Sequence, residues 1–349
     1  MANLREVAAR AGVSVSTVSR VLNNDESLSV TSLTKEKIME AAENLQYKKH
    51  SQKKKSRTHQ IGLLIFCSKD YEYEDEYFMV MRRSIERQAE KEGLSIAVQI
   101  REIEKLQDAD LLNNLEGLII VGNISSSIVN QLSRQNQKIV FVDESPDINR
   151  FDSVTADFLT ATTAVLNHLR SLGHRRIGYI GGTEIPHQQF EDTDFTGIDN
   201  LEKMRFLPYK RMLTSWGEYK EEFVHIGGWS TEEGYQMMKK ALQQEEGPSA
   251  YVVASDPMAV GAIRALHEAG VKVPHDISIV SFNDIQMAKY LNPPLTTVKV
   301  PVEQMGVSAV KLIREQIDGR DIPTKLIHPC AVQYRDSAAE LRQERVPVK

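Results

Sequence analysis

The stretch REVAARAGVSVSTVSRVLNN, Arg5–Asn24, decides the reading of the N-terminal fold. Just before it, Asn3 with Glu6 three residues later is a helix-opening capping box. Val7, Ala8 and Ala11 recur at helical spacing. Gly12 then stands where a tight turn between helices needs positive φ. Ser14 can cap the next helix, with Val18, Val21 and Leu22 inward. A third helix is expected from near Thr31 or Thr34, burying Ile38, Ala41, Ala42 and Leu45 at i, i+3, i+4, i+7. Three short helices with so little apolar area make a small core whose use is to present a surface.

In a helix-turn-helix the second helix, Val15 to Leu22, enters the major groove. A small apolar Val15 suits a thymine methyl, Ser16 a base edge, and Arg20 the O6 and N7 of guanine. Ser14, Thr17 and Ser19 suit phosphate oxygens, which set register without reading sequence. Asn23, just beyond, joins this DNA-contacting set. Charge agrees. Residues 1–60 hold eleven Lys+Arg against six Asp+Glu, net +5, within a chain of 349 residues and net charge −5. A basic head on an acidic body points to a polyanion at one end.

Val7-Ala8, Ala11-Gly12-Val13-Ser14 and Thr17-Val18-Ser19-Arg20-Val21, followed by TKEKIMEAAENLQY (34–47), resemble the head of the lactose/galactose repressor family. The resemblance implies that Val15, Ser16 and Arg20 occupy the base-reading positions. The next segment, KKHSQKKKSRTHQ (48–60), is nearly devoid of apolar residues and reads as a linker. In that family the linker forms a helix and wedges a leucine into the minor groove. This chain departs from the pattern: no leucine lies between Leu45 and Ile61, and Lys53-Lys54-Lys55 stands instead. Phosphate contacts and a steeper salt dependence are expected in its place.

From Ile61 short apolar runs alternate with amphipathic stretches. IGLLIF (61–66), LSIAVQI (94–100), GLIIV (117–121), KIVFVD (138–143) and SVTAD (153–157) form a first set. RRIGYIGG (175–182), EFVHIG (222–227), AYVVAS (250–255) and ISIVSF (277–282) form a second. Such runs separated by helices argue for parallel sheets covered on both faces, here an α/β body of two doubly wound lobes. Ligands bind such folds at the carboxyl ends of the strands, in the cleft between the lobes.

LGHRRIGYIGG (172–182), VVASDPMAVGAIRALHEAGVKVPHDISIVSFND (252–284) and LNPPLTTV (291–298) resemble the same family and, through it, the periplasmic sugar-binding proteins. The implied organisation is a head at 1–47 and a linker at 48–60, then a first lobe of 61–157 plus 291–320 and a second of 158–290 plus 321–336. The chain would cross between lobes near Asp157, near Leu291–Leu295 and near Arg320.

No phosphate loop, nucleophile elbow or H-E-x-x-H is present, and the nine histidines are scattered. No enzyme, no cofactor and no metal are therefore expected. No apolar run approaches the roughly 20 residues that span a bilayer, and the N-terminus lacks an apolar signal core. Two cysteines, Cys67 and Cys330, suit a reducing compartment, so a cytoplasmic protein without a membrane partner is expected.

A cleft for a polar small molecule needs an apolar anchor and a few convergent polar groups. Trp229, just after EFVHIG, can stack on the C–H face of a pyranose, or else pack in the core. Arg205, in LEKMRFLPYKRML (201–213), matches the arginine that opens the helix after the first strand of the second lobe and can grip hydroxyls. Asp143 ends KIVFVD. Asp256 is as well explained as a helix cap before Pro257, so Ser255 is the preferred contact. The family commonly carries an acid where Asn283 stands. Residues 183–200 form a long acidic stretch, either a lid or a surface insertion.

These readings converge on a transcriptional repressor of a carbohydrate operon. It would bind a pseudo-palindromic operator as a homodimer and be released by a sugar inducer, galactose or a galactoside being favoured. A corepressor-dependent regulator, answering to a purine, sugar phosphate or phosphoprotein, is the first alternative; a sugar-acting enzyme fused to a DNA-binding head is the second. The tail 337–349 lacks leucine heptads, which argues against a tail-built tetramer.

Overall fold

The computed structural model describes residues 3–22, 30–45, 59–65, 69–102, 114–122, 126–135, 138–143, 149–182 and 198–341, with single positions 28, 47, 67, 106, 112, 124 and 147. The chain divides into two compact units, Met1–Arg57 and Thr58–Lys349.

The first unit is three helices, α1 (Leu4–Ala11), α2 (Val15–Leu22) and α3 (Ser32–Asn44). Both halves of the Asn3–Glu6 capping box form, and Gly12 closes α1 in the left-handed region at φ 68°. An L side chain there would be strained, which is why the turn into α2 takes glycine. Ser14 Oγ accepts the Thr17 amide at 3.1 Å and so caps α2, while Thr31 caps α3. Val7, Ala8, Val18, Val21, Ile38, Ala41 and Ala42 are the buried centre; Ala11, Leu22 and Leu45 pack at its margin.

The second unit contains two six-stranded sheets. In chain order its elements are β1 (His59–Ile65), α4 (Lys69–Glu74), α5 (Glu76–Lys91), β2 (Leu94–Ile100), β3 (Gly117–Val121), α6 (Ser126–Gln135), β4 (Ile139–Val142) and β5 (Asp152–Ala156). There follow α7 (Phe158–Ser171), β6 (Ile177–Gly182), α8 (Ile198–Trp216), β7 (Val224–Gly227), α9 (Thr231–Ala241), β8 (Ala250–Val253), α10 (Asp256–Glu268) and β9 (Ser278–Asn283). Last come β10 (Thr296–Lys299), α11 (Val302–Ile317), β11 (Lys325–His328) and β12 (Ala331–Gln333).

The first sheet runs β11-β5-β4-β3-β1-β2 and is parallel throughout. The second runs β12-β10-β9-β8-β6-β7 and is parallel except for the β10–β12 edge pair. Every residue of β3, β4, β5, β8 and β9 is buried, as expected of strands with helices on both faces. Burying one such Leu or Ile contributes about 1.5–3 kcal/mol, so these strands dominate the core. Edge strand β2 instead alternates between exposed and half-buried positions along its middle.

All nine expected strands are present, but three more appear: β10, β11 and β12. Their arrangement moves two of the expected crossovers. β10 pairs with β9, so residues 291–299 belong with the second lobe, and the chain returns to the first lobe only at α11, which packs on α5. β11 pairs with β5 in the first sheet, so the last crossing falls between His328 and Ala331 instead of near Arg320. Arg320 serves the first lobe instead. Its guanidinium pairs with fully buried Asp152, whose Oδ1 also accepts the Thr324 amide at 2.7 Å. That pair ties the segment before β11 to β5. The first crossing does lie at Asp157, which caps α7 through the Thr160 amide. The Asp157 amide donates to the His328 carbonyl at 2.8 Å, joining the first and last crossings.

Candidate effector cleft and DNA-reading helix

On α2 the exposed positions are Val15, Ser16 and Arg20, with Thr17 and Ser19 half-buried and Val18 and Val21 facing the head's core. The Ser14 hydroxyl lies 2.7 Å from those of Ser16 and Thr17. One helix thus exposes an apolar contact, a hydroxyl cluster and a guanidinium side by side, the chemistry that base edges and phosphates require. Asn23, Lys53, Lys54 and Lys55 lie outside the described residues, as do residues 183–197 of the expected lid.

In the body, four of the five expected effector residues come together. Asp143 follows β4 with φ 69°, and Asn283 ends β9 with φ 110°. Non-glycine residues seldom adopt such backbone, at a cost of order 1–3 kcal/mol each, and here it turns both side chains at their strand ends. Asp143 comes from the first lobe. Arg205, Trp229 and Asn283 come from the second. Arg205 lies inside α8 and not at its start as expected. Its guanidinium carbon sits 3.9 Å from the Phe158 ring centre, 5.5 Å from Phe282 and 5.7 Å from Trp229. This aromatic cage holds a cation that is only 6% exposed. Trp229 lies flat over Gly182, where an added Cβ would come 2.5 Å from the indole.

Ser255 takes a different part. It is the N-cap of α10, its hydroxyl accepting the Met258 amide at 3.5 Å. The capping alternative considered for Asp256 therefore belongs to Ser255. Asp256 is fully buried and gathers Ser281 Oγ, Thr297 Oγ1 (2.6 Å) and the Ile285 amide (2.9 Å), stitching the ends of α10, β9 and β10. Burial pushes its carboxyl up to about 7 despite those donors.

Two members of the cluster were not among the expected residues. Asp75 caps α5 by accepting the Tyr77 amide at 3.0 Å. The Tyr77 hydroxyl donates to Asp143 Oδ1 at 2.5 Å, and Asn283 Nδ2 donates to Asp75 Oδ2 at 3.2 Å, a hydrogen bond between the lobes. The only cue was an acidic, aromatic run, KDYEYEDEYF, after the first strand. Such a run reads equally as solvated surface.

Burial raises the Asp143 carboxyl to about 6; the Tyr77 hydrogen bond and the Arg205 charge oppose that rise. Burial likewise raises Asp75, and burial with the Asp143 charge raises the Tyr77 phenol. Cys330, in the last crossover, is half-buried beside this cluster, and burial pushes its thiol up to about 11. Among the described residues, three buried polar atoms of the cluster have no partner: Arg205 Nε, Trp229 Nε1 and Asn283 Oδ1. Buried polar groups are normally satisfied, so three orphans converging with aromatic walls mark a place for a polar guest. Among the described residues no group of His, Cys, Asp and Glu is arranged to hold a metal, and no helix is long and apolar enough to cross a membrane.

Comparison with known proteins agrees with this division. Residues 3–50 match the model of bacterial regulatory proteins of the lacI family, and residues 166–338 match that of the periplasmic binding protein-like domain. The chain is 38% identical to the HTH-type transcriptional repressor MelR of Bacillus subtilis, over 97% of each chain. It is 36% identical to the HTH-type transcriptional regulator GanR of the same organism, over 94% of this chain and 96% of that one. Among solved structures, the lac repressor dimer bound to operator and the anti-inducer ONPF superposes with a TM-score of 0.68 at 25% identity, covering 97% of this chain and 99% of that one. The charged, partly unsatisfied cluster and the helix-turn-helix head thus sit in a chain that belongs to the lacI family of bacterial regulatory proteins.

Proposed function

We propose that this protein is a ligand-controlled transcriptional repressor that binds a pseudo-palindromic operator as a homodimer and is released by a sugar, a galactose-like inducer being favoured. The observation that carries the reading is the convergence of Asp143 from one lobe with Arg205, Trp229 and Asn283 from the other. A ligand touching both lobes has different affinities for their closed and open arrangements, which is what coupling to a second site requires. Relatives named as a repressor and as regulators support the DNA side. A cluster whose buried acids are engaged in hydrogen bonds, with no nucleophile–base pair, supports a binding role over catalysis. No cofactor is expected, and a chain with only two cysteines suits the cytoplasm.

Val15, Ser16 and Arg20 read the bases; Ser14, Thr17, Ser19, Asn23 and Lys53–Lys55 hold phosphates. Asp143, Arg205, Trp229 and Asn283 hold the effector, while Ser255 serves as the cap of α10. The test is operator titration of the full chain with and without a panel of sugars. Release on adding a neutral sugar is the expected result. Tighter binding would instead identify a corepressor, and an affinity that no sugar alters would overturn the effector reading. Arg20→Ala should weaken operator binding by about 1–3 kcal/mol and relax preference at one base pair. Unchanged binding would remove Val15–Leu22 from the groove.

A further inference from the structure

We propose that Asp75 sets the charge selectivity of the cleft, admitting uncharged polyhydroxylated effectors and turning away anionic ones such as sugar phosphates and uronates. The inference rests on the effector reading above and narrows it to a ligand class.

Asp75 is 3% exposed and accepts from the Tyr77 amide and from Asn283 Nδ2. Asp143, also buried, accepts the Tyr77 hydroxyl. Asp75 thus accepts from two donors, one on each oxygen, and Asp143 from one, as an acceptor-only carboxylate does. The cation that favours their charged forms is Arg205. Among the described residues of the cluster, two carboxylates therefore face one guanidinium. An anion bound against this buried cluster would lose hydration and meet two like charges for one opposite charge.

The orphan atoms point the same way. Among the described residues, Arg205 Nε and Trp229 Nε1 are donors without acceptors, whereas Asn283 Oδ1 is an acceptor without a donor. A hydroxyl both donates and accepts, so a polyol can satisfy all three. A fully ionised phosphate or carboxylate group only accepts, so it cannot itself pair with Asn283 Oδ1, which is left to the remaining hydroxyls of an anionic sugar. Asn283 contributes a second device. An acid at that position would set a third carboxylate against Asp75; the amide instead makes a 3.2 Å contact across the lobes.

Calorimetry on the full chain with matched probes tests the proposal. The probes are galactose, lactose and cellobiose as neutral ligands, with galactose 6-phosphate and galacturonate as anions. The wild type should bind at least one neutral probe about tenfold or more tighter than either anion. Asp75→Asn keeps a residue that caps helices and should narrow that ratio about tenfold. Asp75→Ser, also a cap former, serves if the amide variant folds poorly. Wild-type binding of an anion as tight as that of the neutral sugars overturns the inference. So does a parallel loss of both classes in Asp75→Asn, which would mark Asp75 as a helix cap only. A chain that binds no probe of either class overturns the effector reading itself, and with it this inference.

Discussion

The two walls of the cleft are built on opposite plans. On the first-lobe wall, Asp75, Tyr77 and Asp143 satisfy one another: the tyrosine amide goes to one acid and its hydroxyl to the other. On the second-lobe wall, Arg205, Trp229 and Asn283 each keep a buried polar atom without a partner among the described residues. A satisfied wall is rigid before the ligand arrives, while an unsatisfied wall gains hydrogen bonds when it does. Leaving a buried donor unmade costs about 1–3 kcal/mol, so the second wall carries the larger share of the free energy that a guest can release. The first wall supplies orientation and charge.

The largest test of this contrast is Arg205→Met, which keeps apolar bulk in the aromatic cage but removes the guanidinium. It strips both acids of their counter-charge and deletes an orphan donor. Effector affinity should fall more than about 100-fold, with a drop in thermal stability from the uncompensated buried acids. Calorimetry and a melting curve check both. A loss below tenfold would place the binding energy elsewhere. Trp229→Ala comes next, at about thirtyfold, since roughly 2 kcal/mol of stacked apolar area is lost. Tyr77→Phe should cost less, about fivefold, because one hydrogen bond of about 1 kcal/mol is removed from the wall that is already satisfied. If Tyr77→Phe hurt binding more than Trp229→Ala, the assignment of the two walls would be reversed.

The same contrast explains what could be read from residue order. The head was legible down to its caps, because Asn3, Gly12 and Ser14 act on neighbours within a few positions. The buried strands were legible because both faces are covered, leaving continuous apolar runs. β10–β12 were not: TTVK has a single apolar residue, AVQ is only three residues long, and KLIH is half-exposed at an edge. Which sheet each joins depends on long-range pairing, so the crossovers shifted with them. Trp229 and Asn283 could be placed from the sequence because they stand at or just beyond the ends of recognisable strands. Asp75 and Tyr77 were missed because an acidic helix start looks the same whether it meets solvent or another lobe. Only the contact with Asn283, 208 positions away, separates the two cases.

The smallest expected effect is with pH, and it discriminates between the walls most finely. Asp143 titrates near 6 in the unliganded fold, raised by burial from an ordinary 3.8. As an acid raised by folding, it favours the fold most below about 4, and that contribution fades as pH rises through about 6. Binding runs the opposite way. Ionised Asp143 accepts a ligand hydroxyl alongside that of Tyr77 more strongly than the neutral acid does, so affinity should be fullest above pH 7 and up to about twofold weaker at pH 6, where half the sites are protonated. Tyr77 donates to the ionised form and opposes the rise. Tyr77→Phe should therefore move the midpoint of the pH–affinity curve above 6, whereas Trp229→Ala, which removes no donor to Asp143, should lower affinity at every pH and leave the midpoint in place. Calorimetric affinities measured from pH 5 to 8 for the three proteins decide this. A midpoint that ignores Tyr77 would mean that the first wall does not hold the charge of Asp143, and the division of labour between the walls would fail with it.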